Sequence, residues 1–183
     1  MANFYLIVTS LAVISILVIG FLVLLHDKKK SHNLVFFLMC VFVVLWLVSV
    51  LISDYSKSVC TALLFIKLAN FSAVWAIYLF LLFTFIFPKN FPPCFDRLKI
   101  YYLIFPSLFS ILYFSDLIIS GAEIKEWGSN PILGPLASLG ALYIIITTII
   151  GLINLIIKYK KCWFRKDSIK IYFIWFRANS WVS

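Results

Sequence analysis

The sequence predicts an all-α fold, a polytopic bundle of transmembrane helices, from two observations. The chain of 183 residues is 64% hydrophobic and only 13% charged, whereas about a quarter of the residues in a soluble domain are charged. The apolar residues are also gathered into stretches close to the roughly 20 residues that a helix needs to cross a bilayer. These stretches predict five spans, at residues 4–25, 34–52, 62–87, 100–119 and 132–157.

The first span is expected to remain in the protein as an anchor. Residues 1–25 contain no charged side chain, and the basic block Lys28–Lys30 comes after the apolar run. A cleaved signal peptide has the opposite arrangement, with positive charge before a shorter apolar run. Residues 1–157 are therefore assigned to one transmembrane domain.

Short connections separate the spans, so consecutive helices should be antiparallel neighbours. Three prolines between residues 88 and 93 end the third span, and Pro131 with Pro135 opens the fifth, since proline interrupts a helix but suits its first turn. The segment 120–131 is expected to be a plain connection.

The distribution of basic residues predicts the orientation. Thirteen of the sixteen Lys and Arg follow the first, third or fifth span. The positive-inside rule then places the N-terminus outside and the C-terminus in the cytoplasm. We therefore expect an integral protein of the plasma membrane, with the lipid bilayer as its surroundings. Juxtamembrane basic residues also account for the net charge of +9, so no nucleic-acid partner is predicted.

The tail, residues 158–183, is predicted to be basic and cytoplasmic. Its apolar run at 171–176 is only six residues long, about 9 Å as a helix, which is too short to span. Two interpretations stay open: the run is the beginning of a truncated or frame-shifted sixth span, or it belongs to an interfacial amphipathic tail.

Lys67 is an ionisable residue within the third predicted span, where charge is costly and commonly functional. In one interpretation its ammonium lies at the outer interface and snorkels outward, since residues 68–87 already form an uncharged stretch. In the other it pairs with Asp54 or Asp116, near the outer ends of their helices, in a polar cluster that binds a ligand.

Trp75 is a further candidate binding residue. It precedes Tyr78 by three positions, so the two share a helix face. That face is a candidate lining of a small ligand pocket, together with Trp46 and Asp116. Packing between helices is the alternative.

The sequence contains no pattern typical of catalysis. There is no HExxH motif, nucleophile elbow or glycine-rich phosphate loop, and the two histidines have too few neighbouring ligands for a metal. We expect no enzymatic activity, no metal and no cofactor.

The chain resembles the N-terminal seven-transmembrane input region of bacterial histidine kinases. The resemblance depends on residues 70–78 (NFSAVWAIY) leading to FIFP at 85–88, and on Gly134-Pro135 before a fifth span that ends in basic residues. It covers most of residues 1–170 and carries no catalytic residue. In that family two further spans, a phosphoacceptor helix and an ATP-binding domain follow, and this sequence contains none of them.

The resemblance implies a membrane-embedded sensory or signal-input module without kinase output. Such a module would bind a ligand or sense the envelope, and would pass a helix displacement to a cytoplasmic signalling partner. The alternative is a small transporter component or accessory scaffold, complete as it stands, that acts through homo-oligomers or other assemblies.

Overall fold

A computed structural model describes residues 2–28, 30–87, 95–125 and 128–179, and the side chains of these ranges between 4 and 160 except 95–102. The described chain forms helices with one hairpin inserted before the last helix. Its elements are α1 (Ala2–His26), α2 (Ser31–Tyr55), α3 (Val59–Ile86), α4 (Phe95–Phe114), β1 (Ile119–Lys125), β2 (Gly128–Leu133) and α5 (Ala137–Asn179).

Four helices of the described chain are long and apolar enough to cross a membrane. They are α1, α2, α3 and the Ala137–Lys160 part of α5. The described apolar part of α4 is shorter, at Leu103–Phe114. The prediction of a helical bundle is thus confirmed at the level of helix type, and four of the five predicted spans have a helix of sufficient apolar length. The number of spans stays a prediction.

Helix α3 occupies the centre of the bundle. It packs against α2, α4, α5 and both strands. Half of the residues in an apolar 18-residue stretch of α3 are buried within the protein, compared with 11% in the corresponding stretch of α1. Ser72 and Ala76, one turn apart on α3, are both buried, as expected where small residues let helices approach closely.

The structure corrects the prediction for the segment between α4 and α5. Helix α4 ends at Phe114 rather than at residue 119, and residues 120–131 are not a plain loop, because β1 and β2 pair as an antiparallel hairpin with Lys125 opposite Gly128. Consequently Ile132 belongs to β2, and α5 begins at Ala137 rather than at 132. Tertiary packing explains the error: Ile119 and Ala122, on either side of an irregularity in the strand register, are buried in a cluster with residues of α3.

A close backbone contact joins the hairpin to α5. The Gly134 amide donates to the Ile118 carbonyl over 2.8 Å, and the Leu136 amide donates to the Leu117 carbonyl over 2.9 Å. A Cβ atom at Gly134 would collide with the Leu117 carbonyl, so only glycine fits this junction without a shift. The hairpin and the first turn of α5 are therefore held together.

The tail continues α5 as one helix to Asn179. At about 1.5 Å per residue, the 43 residues of α5 measure about 65 Å, roughly twice the hydrocarbon thickness. The run at 171–176 lies in this helix, so in the described chain it does not begin a separate sixth helix. The predicted interfacial contacts of the tail side chains lie outside the described residues.

Candidate functional site

Polar side chains cluster at the end of the bundle where α2 ends, α3 begins and the hairpin lies, hereafter the hairpin end. Lys67 of α3 donates to Asp116 Oδ1 over 2.8 Å and to the Phe114 carbonyl over 3.3 Å. The Lys67 side chain is 12% exposed and that of Asp116 is 78% exposed. The structure agrees with the second interpretation of Lys67, in which it forms an ion pair. Its partner is Asp116 rather than Asp54. The ammonium thereby binds α3 to the end of α4.

Asp54 instead anchors the hairpin to the end of α2. Its Oδ1 atom accepts from the Ser129 amide over 3.4 Å and lies 3.3 Å from the Ser129 hydroxyl. Ser129 Oγ also lies 2.6 Å from Ser53 Oγ. Gly128 has φ +140°, and a Cβ there would lie 3.0 Å from Asp54 Oδ1. Glycine at 128 thus permits both the turn and the approach of Asp54.

The two serine hydroxyls at the hairpin end have a choice of hydrogen bonds. Ser53 Oγ lies 3.2 Å from the Ala62 carbonyl as well as close to Ser129, but each hydroxyl has one proton. Either Ser129 donates to Asp54 and Ser53 to Ser129, or Ser129 donates to Ser53 and Ser53 to Ala62. The first arrangement is favoured by full negative charge on Asp54, because a hydrogen bond to an ion is the stronger one.

A cavity of about 180 Å³ lies beside these groups, between α2, α3 and β2. It extends from Asp54 at the hairpin end to Trp46, which lies eight residues earlier on α2 and therefore about 12 Å deeper along the helix axis. Trp46 is 42% exposed. The lining includes Trp46, Val50, Ser53, Asp54, Ile66 and Ser129.

Trp75 lies apart from this cavity, in the packed interior. Its ring stacks on Phe42 at 5.9 Å and meets Tyr78 edge-on at 5.9 Å. Its indole Nε1 donates to Ser110 Oγ of α4 over 2.9 Å. These contacts are those of helix packing, and Trp75 is not among the residues that line the cavity at Asp54. Its predicted binding role is not tested by them and stays a prediction. A binding role for Lys67 and Asp116 stays a prediction.

At the opposite end of the bundle, hereafter the basic end, Lys158 of α5 holds the last turn of α3. Its ammonium donates to the carbonyls of Thr84, Phe85 and Phe87 over 2.7, 2.7 and 2.8 Å. The last carbonyls of a helix have no partner within it, and a cation suits the negative end of the helix dipole. One side chain therefore satisfies two carbonyls of the last turn of α3 and the carbonyl of Phe87, which follows the helix.

Asn154 adds a second bond between the same helices. Its amide donates to Thr84 Oγ1 over 3.1 Å, and that buried hydroxyl donates to the Leu81 carbonyl over 2.7 Å. Sequence reasoning placed Lys158 in the basic tail and missed both residues. Their spacing of four, with an amide inside an apolar span, was the available signal, since residues four apart share a helix face.

Two larger cavities are mostly apolar. One of about 310 Å³ lies between α3, α4 and α5 beside Tyr78 and Tyr143, and one of about 370 Å³ lies near Tyr113 and the hairpin. Within the described ranges, no group of three or more His, Cys, Asp or Glu residues is arranged to hold a metal ion.

Comparison of the chain with protein-family models, with curated proteins and with solved structures finds no match.

A double-mutant cycle tests the Lys67–Asp116 pair. Because Asp116 is largely solvated, Lys67→Met and Asp116→Asn should show a coupling free energy of only about 0.5–1 kcal/mol in thermal or chemical unfolding. Lys67→Met alone should be the more destabilising, since it also removes the bond to the Phe114 carbonyl. Lys57→Met, at an exposed position of the same end, is the control. A coupling of zero would contradict the pairing.

The three-carbonyl contact of Lys158 predicts a larger effect. Lys158→Met should lower the free energy of unfolding by about 1.5–3 kcal/mol, the range for hydrogen bonds to charged groups. Lys160→Met, two residues away at an exposed position, should change it by less than about 0.5 kcal/mol. Equal effects of the two substitutions, measured in the same detergent, would show that Lys158 does not cap α3.

Proposed function

We propose that the protein is a membrane-embedded signal-input module of the plasma membrane. The hairpin end faces outward and receives the stimulus, and the basic end faces the cytoplasm. The charge distribution supports this orientation, because the basic residues flank the ends of α1, α3 and the apolar part of α5 on one side, as the positive-inside rule requires.

The continuity between β2 and α5 is the observation that carries the proposal. Only residues 134–136 separate the strand from the helix, and backbone hydrogen bonds from Gly134 and Leu136 fix that junction to Ile118 and Leu117, directly before β1. Helix α5 then runs well beyond the length that hydrocarbon requires. A displacement of the hairpin therefore reaches the cytoplasmic side through a single helix.

The contacts of α3 supply the second route. Near its start, Lys67 joins α3 to Asp116 beside the hairpin, and its end is held by Lys158 of α5. The Ser53–Ser129 hydroxyl pair offers two alternative hydrogen-bond arrangements, which a ligand that neutralises Asp54 would bias. Such differential interaction with two states is what a ligand needs to shift a population.

A cytoplasmic signalling protein or domain is the proposed receiver of this displacement. The resemblance to histidine-kinase input regions supports that class of receiver. The module itself carries no proposed enzymatic activity or cofactor, and self-association through its helices is the proposed form of any homo-oligomer.

A reporter fusion tests the function. The chain is joined after Ser183 to the cytoplasmic part of a bacterial histidine kinase, in a series of helix registers, and phosphorylation of the response regulator is measured in cells. Gly134→Ala should change output severalfold, because its Cβ collides with the Leu117 backbone. Gly121→Ala is the matched control, since its Cβ meets only the flexible Ile132 side chain at 3.2 Å, and its output should stay near wild type.

Unchanged output from Gly134→Ala in every register, with normal membrane insertion and stability, would contradict the proposal. Solute flux through the purified protein in proteoliposomes, together with an inert fusion, would favour the transporter interpretation instead.

A further inference from the structure

The cavity at the hairpin end presents one charge to any occupant. Asp54 is the one charged residue among those that line it in the described chain. Its Oδ1 atom accepts two long hydrogen bonds from Ser129, at 3.4 and 3.3 Å, and within the described residues Oδ2 accepts none. A half-buried carboxylate with an unused oxygen favours a cationic ligand, because its charge is only partly compensated.

The rest of the lining is unsuited to a metal ion. In the described ranges, Asp54 is not part of any group of three potential His, Cys, Asp or Glu ligands, whereas calcium takes six to eight oxygen ligands and magnesium near-octahedral geometry. A primary organic ammonium needs fewer partners, since it has three N–H groups that must find acceptors. The Asn70 amide supplies an additional acceptor, because its Nδ2 is already used by the Ile66 carbonyl and its Oδ1 remains.

The deeper part of the cavity is apolar. Val50, Ile66 and Ala69 line it, and Trp46 presents a partly exposed indole. Trp46 lies about 12 Å below Asp54 along α2, too far for one small cation to contact both. The polarity therefore runs from a carboxylate at the hairpin end to hydrocarbon and an aromatic ring below.

We infer that this cavity binds a small organic ammonium ion that carries a short apolar chain. The ammonium pairs with Asp54, and the chain points toward Trp46. The volume of about 180 Å³ is below the roughly 300–1,000 Å³ of pockets for drug-sized ligands, which fits a chain of a few carbon atoms. A soluble amine and the headgroup of an aminophospholipid share this chemistry.

Binding would also change the hydroxyl pair beside Asp54. Once a cation neutralises the carboxylate, the Ser129 hydroxyl rotates to donate to Ser53 Oγ, at 2.6 Å. The Ser53 hydroxyl then donates to the Ala62 carbonyl of α3, at 3.2 Å. This consequence rests on the proposed function, because it matters only if the hairpin end receives a signal. The binding itself is measured without any output.

Isothermal titration calorimetry with butylammonium tests the inference on the full chain in maltoside micelles, which contain no ammonium group. Butylammonium should bind saturably, whereas 1-butanol and butyrate of the same chain length should not. Asp54→Asn keeps an oxygen acceptor for Ser129 and removes the charge, and it should weaken binding by roughly tenfold or more, as loss of a charge-assisted bond predicts. Asp27→Asn, the same change at the basic end of the bundle and outside the cavity lining, should leave affinity unchanged.

Equal binding of 1-butanol, or equal affinity of wild type and Asp54→Asn, would overturn the inference. The comparison of three probes on the wild type does not depend on any variant folding.

The titration is repeated in nanodiscs of phosphatidylethanolamine and of phosphatidylglycerol, with empty discs subtracted. This comparison distinguishes a lipid headgroup from a soluble amine as the natural source of the ammonium. A loss of affinity confined to phosphatidylethanolamine assigns the site to a lipid headgroup, and equal affinity assigns it to a soluble amine. If butylammonium does not bind but Gly134→Ala still changes the output of the kinase fusion, the ligand class is rejected and the proposed function is not.

Discussion

Helix α3 is bonded near both of its ends by an ammonium group of the same chain. Lys158 satisfies three carbonyls where α3 ends, and Lys67 joins the beginning of α3 to the end of α4. Hydrocarbon offers no alternative partner to a free carbonyl or a buried charge. The central helix is therefore held near both ends by groups of its own chain. Helices α2, α4 and α5 and the hairpin pack against it, whereas α1 packs mainly on α2.

The hairpin gives the two ends of the bundle different roles. At one end, the hairpin packs on α2 and α3, and its strand β2 borders a cavity and brings Ser129 to Asp54. At the other, α5 continues past Lys158 as an uninterrupted helix. Because β2 leads directly into α5, the strand that borders the cavity and the longest helix of the described chain are connected by three residues. This arrangement suits a module that converts binding into helix displacement.

The helices were predictable from the sequence because their apolar stretches are about as long as a helix that crosses a bilayer. The observed end of α3 at Ile86 lies within one residue of the predicted end, because the prolines from Pro88 onward interrupt a helix. The hairpin was not predictable, because residues such as Ile119 and Ile132 are apolar enough to continue a helix. Their strand conformation depends on the packing of Ile119 against α3 and of Ile132 against Gly121 of the other strand. The choice of Asp116 over Asp54 as the partner of Lys67 likewise depends on the contact between α3 and α4. The capping role of Lys158 was hidden within a basic run that topology alone explains.

The orientation of the hairpin end is the central claim, since outside reception of a signal requires it. Cys60 tests it directly, because it is free, exposed and located at the start of α3 at that end, whereas Cys40 is buried. A membrane-impermeant maleimide applied to intact cells should label Cys60, and Cys60→Ser should abolish that labelling. Labelling of Cys60 only after the membrane is disrupted would place the hairpin end in the cytoplasm and contradict the account.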